Sequence, residues 1–159
     1  MKAKWIALVA ATLAGFSLAA PAQAQAGGAV KLVNAVKVDK QVVENGKVKH
    51  VLVEPNTVVP GDKLVYTISY QNTGSEAVKD FDLVNPLASA VMLDPAGDEN
   101  LTVSVDGGKT WGKLAALKFT GTDGVSRPAQ AGDVTHLRWI VPLIAAGAKG
   151  AITYHAIVR

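Results

Sequence analysis

The stretch Leu64-Val-Tyr-Thr-Ile-Ser-Tyr-Gln-Asn-Thr-Gly74 decides the fold class of this chain. Side chains of two kinds alternate along it, so that one face of an extended strand carries Leu64, Tyr66, Ile68 and Tyr70. A period of two is typical of a half-buried β-strand. The following Asn72-Thr73-Gly74 supplies residues that favour turns. The pattern therefore predicts a central core strand that ends in a tight turn.

The same alternation recurs on both sides of this strand, and no stretch has convincing helical periodicity. The Asn45-Gly46 pair predicts a type I′ hairpin, because both residues tolerate positive φ. Short antiparallel strands at this spacing favour a two-sheet β-sandwich over a barrel, with Trp139 in its core. The predicted further strands are 30–38, 42–44, 47–53, 78–84, 101–105, 114–119, 134–141 and 150–158, the last two joined through Pro142, and 121–132 is predicted to be a loop.

The composition narrows the chemistry that the chain can perform. Its 159 residues are 49% hydrophobic and 18% charged, which is ordinary for one globular domain. There is no Cys, and this excludes thiol catalysis, thiolate zinc sites, iron–sulfur clusters and disulfides. Stability must therefore come from a packed core.

The first segment has the pattern of a secretory signal. A cationic start, Met1-Lys-Ala-Lys4, precedes the apolar run 5–20 and the small-residue sites Ala22-Gln-Ala24 and Ala24-Gln-Ala26. We predict that residues 1–26 form a helical signal peptide that is cleaved before Gln25 or Gly27. The alternative is a retained membrane anchor.

Cleavage of the signal changes the charge and the expected location of the chain. It removes Lys2 and Lys4 from a chain of formal net charge +3, which leaves the mature protein nearly neutral and gives nucleic-acid binding little support. The expected location is the periplasm, the cell surface or the extracellular medium, without a stable membrane span.

Two longer stretches of the chain resemble a known protein family. The segment VVPGDKLVYTISYQNTGSEAVKDFDLVNPL, residues 58–87, and the end LRWIVPLIAAGAKGAITYHAIVR, residues 137–159, resemble the bacterial conserved-repeat domain, also called domain of unknown function eleven. The resemblance implies an immunoglobulin-like antiparallel β-sandwich of exported and cell-surface proteins, often repeated in tandem in adhesins, and no catalytic residues. This chain has one copy and an additional N-terminal ribbon. The predicted organisation is thus a strand and hairpin extension, 27–57, and an Ig-like core, 58–159.

The segment Ser104-Val-Asp-Gly-Gly-Lys-Thr-Trp111 matches the Asp-box pattern, S-x-D-x-G-x-T-W, known from sialidases and other propellers. In those proteins the motif is a structural hairpin that recurs once per blade. One copy in a chain too short for a propeller favours the structural interpretation, with Asp106 as a turn cap.

Candidate binding residues are few. Each of the three histidines, His50, His136 and His155, is predicted to face solvent, although two of them meet if the last two strands pair. Calcium could bind an acidic loop, 94–100, or the alternating Asp80 and Asp82, and a sugar could stack on an exposed tryptophan. The residues considered for these ligands are Asp94, Asp98, Glu99, Asn100, Trp111 and Trp139.

These observations assign no catalytic, cofactor-binding or metal-ligating residue and lead to a functional hypothesis. We expect a non-enzymatic, exported structural or interaction module, such as an adhesin-like or self-assembling subunit, with a small glycan- or calcium-binding protein as the alternative. A protein partner or a second copy could add a β-strand through residues 29–39, whereas intramolecular pairing of the same residues is the other outcome.

Overall fold

A computed structural model describes residues 29–97 and 101–159. This part of the chain consists mainly of β-strands and contains no α-helix, which confirms the all-β prediction. The described residues include two short 3₁₀ helices, Leu114–Ala116 and Ala131–Asp133. The predicted signal peptide lies outside the described residues. The strands are β1 (Val30–Glu44), β2 (Lys47–Val53), β3 (Lys63–Asn72), β4 (Val78–Pro86), β5 (Val91–Leu93), β6 (Thr102–Ser104), β7 (Gly112–Lys113), β8 (Lys118–Thr120), β9 (Ser126–Pro128), β10 (His136–Ile144) and β11 (Lys149–Val158).

The strands form two main antiparallel sheets. The first has the order β2-β1-β3-β11-β5, and the second has the order β4-β10-β6-β7. The strand centred on Tyr66 and Ile68 is β3, which lies in the middle of the first sheet as predicted. A separate two-stranded sheet joins β8 to β9. The two main sheets contribute to one apolar cluster, so the architecture is sandwich-like.

The first strand belongs to two ladders. Its residues 30–39 pair with β3, from Val30 opposite Asn72 to Asp39 opposite Lys63. Its residues 38–44 pair with β2 on the other side. Residues 40–44 therefore extend beyond β3 and form a projecting two-stranded ribbon with β2. The Asn45-Gly46 turn closes this ribbon with φ of 53° and 73°, as the type I′ prediction requires.

The core lies between the two sheets. In the first sheet, β1, β3 and β11 contribute apolar side chains from even-numbered positions, and β5 contributes Val91 and Leu93. In the second sheet, β4, β6 and β10 contribute side chains from odd-numbered positions. Trp139 lies on this inner face and packs against the cluster, in agreement with the prediction. Burial of each aliphatic side chain stabilises the fold by about 1.5–3 kcal/mol. The buried members are Val38, Leu64, Ile68, Leu83, Val91, Leu93, Leu101, Val103, Val105, Val134, Leu137, Tyr154 and Ala156.

Asn72 is a fully buried polar residue at the end of β3. Its side-chain amide donates hydrogen bonds to the carbonyl oxygens of Glu76 (2.7 Å) and Ile144 (3.0 Å), and its Oδ1 accepts one from the Gly74 amide (2.9 Å). Every polar atom of the side chain is thus used inside the protein, as burial demands. The predicted Asn-Thr-Gly turn thereby connects the end of β3 to the end of β10.

An aromatic group closes one side of the core. The rings of Tyr66 and Tyr154 stack with centroids 4.8 Å apart, and Trp139 lies 5.8 Å from Tyr154. The Asn85 amide donates a hydrogen bond of 3.0 Å to the Tyr154 hydroxyl. Burial and the neighbouring Tyr66 raise the pKa of Tyr154 to about 12. The hydroxyl therefore stays neutral over the physiological range of pH.

Several predicted boundaries are wrong. Residues 114–119 do not form one strand, because Leu114–Ala116 is a 3₁₀ helix, and the return strand is Gly112–Lys113. The predicted loop 121–132 contains β9 and part of the second 3₁₀ helix. Strand β10 continues through Pro142 to Ile144, and the short strand β5 was not predicted. Short strands have too few residues to show a clear alternation. Whether such a segment forms a strand therefore depends on the neighbour with which it pairs.

Candidate functional site

The Asp-box residues form a turn that is held together by side chains. The Asp106 carboxylate accepts hydrogen bonds from the amides of Lys109 (3.1 Å) and Thr110 (2.9 Å) and from the Thr110 hydroxyl (2.7 Å). Ser104 is buried, and its hydroxyl donates to Asp106 at 2.7 Å. The amide and hydroxyl of Thr110, with Ser104, hold the pKa of Asp106 well below its usual range. The predicted role of Asp106 as a turn cap is confirmed.

The two tryptophans considered for sugar stacking lie on opposite faces of the second sheet. Trp139 is on the inner face, whereas Trp111 packs against the outer face beside His136 and Arg138. The Arg138 guanidinium lies 5.5 Å from the Trp111 ring centroid and also pairs with Asp82 through two hydrogen bonds of 2.8 Å. The structure therefore does not combine the tryptophans into one platform, and Trp111 attaches the Asp-box turn to the sheet.

The three histidines lie in different places. His155 is exposed on β11, and His136 is half-buried on β10 beneath Trp111. Strands β10 and β11 belong to different sheets, so the meeting of two histidines considered above does not occur. His50 on β2 places Nδ1 2.9 Å from both carboxylate oxygens of Asp39 on β1. This pair connects the two strands of the ribbon.

The acidic residues considered for calcium are dispersed. The buried Asp94 carboxylate accepts a hydrogen bond from the Ala96 amide and lies 3.2 Å from the Lys63 ammonium. Burial alone would raise its pKa, but these partners outweigh burial and lower it. Asp98, Glu99 and Asn100 lie outside the described residues. Within residues 29–97 and 101–159, no group of three or more His, Asp or Glu side chains is arranged to hold a metal ion.

A charged depression lies where the ribbon leaves the first sheet. Its volume is about 250 Å³. Lys40 and Asp62 form an ion pair of 2.7 Å in it, beside the Asp39–His50 pair. Its lining consists of Asp39, Lys40, Gln41, His50, Gly61, Asp62 and Lys63. The depression therefore contains charged groups that already contact one another across β1, β2 and the connection to β3.

The surface of the ribbon is unusually apolar. Every residue of β2 is exposed, although most of this strand is apolar. On one face of the ribbon, Val43, Val48 and Leu52 are 74%, 60% and 54% exposed. Val42, Val51 and Val53 are exposed on the other face. Contiguous exposed apolar side chains of this kind mark interaction surfaces. We call residues 40–53 the projecting ribbon and take it as the candidate functional site.

Ion pairs lie on the projecting ribbon and at its base. Lys49 pairs with Glu44, and Lys37 pairs with Glu54 where the ribbon joins the sheet. The alternation in the sequence predicted the hairpin, but it did not show that these valines would stay exposed. The sequence signal for this exposure was the presence of apolar residues at consecutive positions, in Val42-Val43 and Val51-Leu52-Val53. Consecutive residues of a strand point to opposite faces, so both faces of the two-stranded ribbon carry apolar side chains.

Comparison with known proteins gives no relative for this chain: no family model matches it, and no curated protein and no solved structure matches it. Among the described residues, no helix is long and apolar enough to cross a membrane.

Proposed function

We propose that this chain is a non-enzymatic, exported structural or interaction module of the bacterial cell envelope or surface, built as an immunoglobulin-like β-sandwich. The observation that carries this proposal is the exposed apolar surface of the projecting ribbon, residues 40–53. Exposure of apolar area to water is unfavourable by about 25 cal/mol per Å², so a partner that covers the ribbon gains free energy. The resemblance to the conserved-repeat domain and the signal-peptide pattern support the location and the structural role.

The ribbon is continuous with the first sheet, which fixes the orientation in which it meets a protein partner. Its strand β1 continues into the first sheet and pairs with ten residues of β3, so the ribbon is held in one direction relative to the core. Val38, where the two ladders overlap, is only 1% exposed. A preorganised element loses less conformational entropy on binding than a flexible tail does. The ribbon thus fits a role in assembly.

The test follows the assembly of the chain in its native host. We compare the wild type with a variant that carries Val43→Thr, Val48→Thr and Leu52→Thr, because threonine keeps β-propensity and removes apolar surface. A matched control carries Val33→Thr and Val125→Thr at exposed valines outside the ribbon. Native electrophoresis of mildly extracted envelope fractions should show a complex for wild type and control, and a monomer for the ribbon variant. A wild type that runs as a monomer in every fraction contradicts the proposal.

The same fractions test export. Intact mass and N-terminal sequencing of the exported chain should give a mature protein that begins at Gln25 or Gly27, because the small-residue sites precede these positions. A chain that keeps Met1 in the membrane fraction would instead show a retained anchor.

A further inference from the structure

Strand β2 is at the edge of the first sheet, and its backbone has a defined direction. Glu44 and Lys47 pair directly across the two-residue turn. In a turn of this kind the two flanking residues exchange backbone hydrogen bonds, so Lys47 directs its backbone groups toward β1. Backbone direction alternates along an antiparallel strand. Val48, His50 and Leu52 therefore direct their amide and carbonyl groups away from β1, toward the open edge.

We propose that the partner of this edge is β2 of a second copy of the chain, paired antiparallel about a two-fold axis at His50. This proposal rests on the proposed function and names the partner of the same ribbon. His50 then faces His50 of the second copy, and Val48 faces Leu52 of the second copy. All three residues with outward backbone groups are paired, which gives about six hydrogen bonds between the copies. The two first sheets become one continuous sheet.

The side chains on the more exposed face favour this register. Val43 of β1 lies opposite Val48 of β2 within one ribbon. In the dimer, Leu52 of the second copy lies on the other side of Val48. An apolar row of Val43, Val48 and Leu52 therefore crosses the interface, and a second such row is related to it by symmetry. Directly opposed side chains are about 5 Å apart and stabilise a sheet when both are apolar.

The lysines of β2 disfavour other registers of the two paired strands. In the proposed register Lys47 faces Val53 of the second copy and Lys49 faces Val51, so no lysine faces another. A shift of two residues in one direction places Lys49 directly opposite Lys49 of the second copy, which is destabilising. The opposite shift leaves Val48 without a partner. A shift of one residue places each residue whose backbone groups point to the open edge opposite a residue whose groups point toward its own β1. The hydrogen bonds between the copies are then lost.

The first experiment compares two substitutions of His50 in the purified mature chain, residues 27–159. His50→Pro removes an outward amide that β1 does not use, so it blocks the edge and keeps the ribbon. His50→Ala loses the same contact with Asp39 but keeps the amide. Sedimentation velocity over a hundredfold range of concentration should show dimers for wild type and His50→Ala, and monomers for His50→Pro. Equal behaviour of the two variants overturns the proposal.

The second experiment measures the register by disulfide formation, which a chain without native Cys allows. Under mild oxidation His50→Cys should cross-link to itself, because the two residues oppose each other at the axis. Lys47→Cys should not, because its copies lie about 20 Å apart along the strands. A mixture of Lys47→Cys with Val53→Cys should give the mixed dimer. Faster self-linking of Lys47→Cys than of His50→Cys contradicts the register.

The outcomes separate this inference from the proposed function. A purified wild type that stays monomeric overturns self-pairing. If the host complex is nevertheless lost in the threonine variant of the ribbon, the proposed function stands and the partner is another protein. If no host complex exists and the purified chain is monomeric, both proposals fail.

Discussion

Single side chains at turns determine much of the local structure of this protein. Asp106 and Asn72 each use their side-chain atoms to satisfy backbone groups that the turns leave without a ladder partner. Both lie within short sequence patterns that favour turns, Asp-Gly-Gly and Asn-Thr-Gly. The local partners of such residues can be predicted from the sequence because they lie within four positions. The bond from Asn72 to Ile144 spans 72 positions and cannot.

At this scale we predict a pH dependence that belongs to Asp106. Its pKa is lowered in the folded chain by hydrogen bonds from Thr110 and Ser104, so the ionised form stabilises the fold. That contribution is present above the pKa of the unfolded chain, about 4, and is lost as the pH falls below it. Thermal unfolding between pH 5 and pH 2.5 should therefore show a smaller fall in Tm for Asp106→Asn than for the wild type.

The control for this measurement is Asp123→Asn, another turn aspartate, which accepts a hydrogen bond from the Val125 amide. The wild type and this control should lose Tm in parallel. Three other aspartates also have a lowered pKa, so the Tm of every variant still falls as the pH is lowered. They are Asp62, Asp94 and Asp133. Identical slopes for Asp106→Asn and the wild type would show that the Asp106 carboxylate does not contribute.

At the scale of one element, β1 has two functions along its length. Its first part closes the core through Val30, Val36 and Val38, whereas its last part, from Gln41 onward, is exposed. Both parts show apolar residues in the sequence, and alternation does not distinguish them. The difference arises because β3 begins at Lys63, opposite Asp39, and so the last part has no sheet beside it on that side.

We therefore predict effects of different size for two valines of β1. Val38→Ala removes a fully buried side chain and should lower the free energy of unfolding by about 2 kcal/mol. Val43→Ala removes an exposed side chain of the same kind and should change it by less than about 0.5 kcal/mol. Urea unfolding followed by tryptophan fluorescence measures both. With the protein diluted until it is monomeric, a large effect at Val43 would mean that the ribbon packs on its own core.

At the scale of the whole molecule, the described chain closes by pairing its first and last strands with β3. Residues 29–39, considered as a strand donated to a neighbour, pair in the structure with their own chain. Ala29 also accepts hydrogen bonds from the amide and the hydroxyl of Thr73. The self-pairing that we propose uses the other strand of the ribbon, β2, and leaves this arrangement intact.

Deletion of residues 27–35 tests this arrangement. It removes the buried Val30 and the acceptor on Ala29, and it exposes the edge of β3, so we expect a loss of about 2–4 kcal/mol in unfolding free energy. Because the proposed interface is β2, the deletion should leave the dimer intact. Deletion of residues 27–28 alone is the control and should keep wild-type stability. If the chain that lacks residues 27–35 is fully stable but monomeric, the interface is formed by residues 29–39 and not by β2.

The pattern of residues along the chain is enough to predict the all-β class, the two faces of the long strands and the turns at Asn45-Gly46, Asn72-Thr73-Gly74 and Asp106. These features depend on a period of two or on hydrogen bonds between near neighbours, and both are local properties. Three features become visible only in the folded chain: β10 and β11 lie in different sheets, β1 belongs to two ladders, and Asp39 contacts His50. Strand pairing depends on which distant segments share a core, and alternation is the same whichever neighbour a strand acquires.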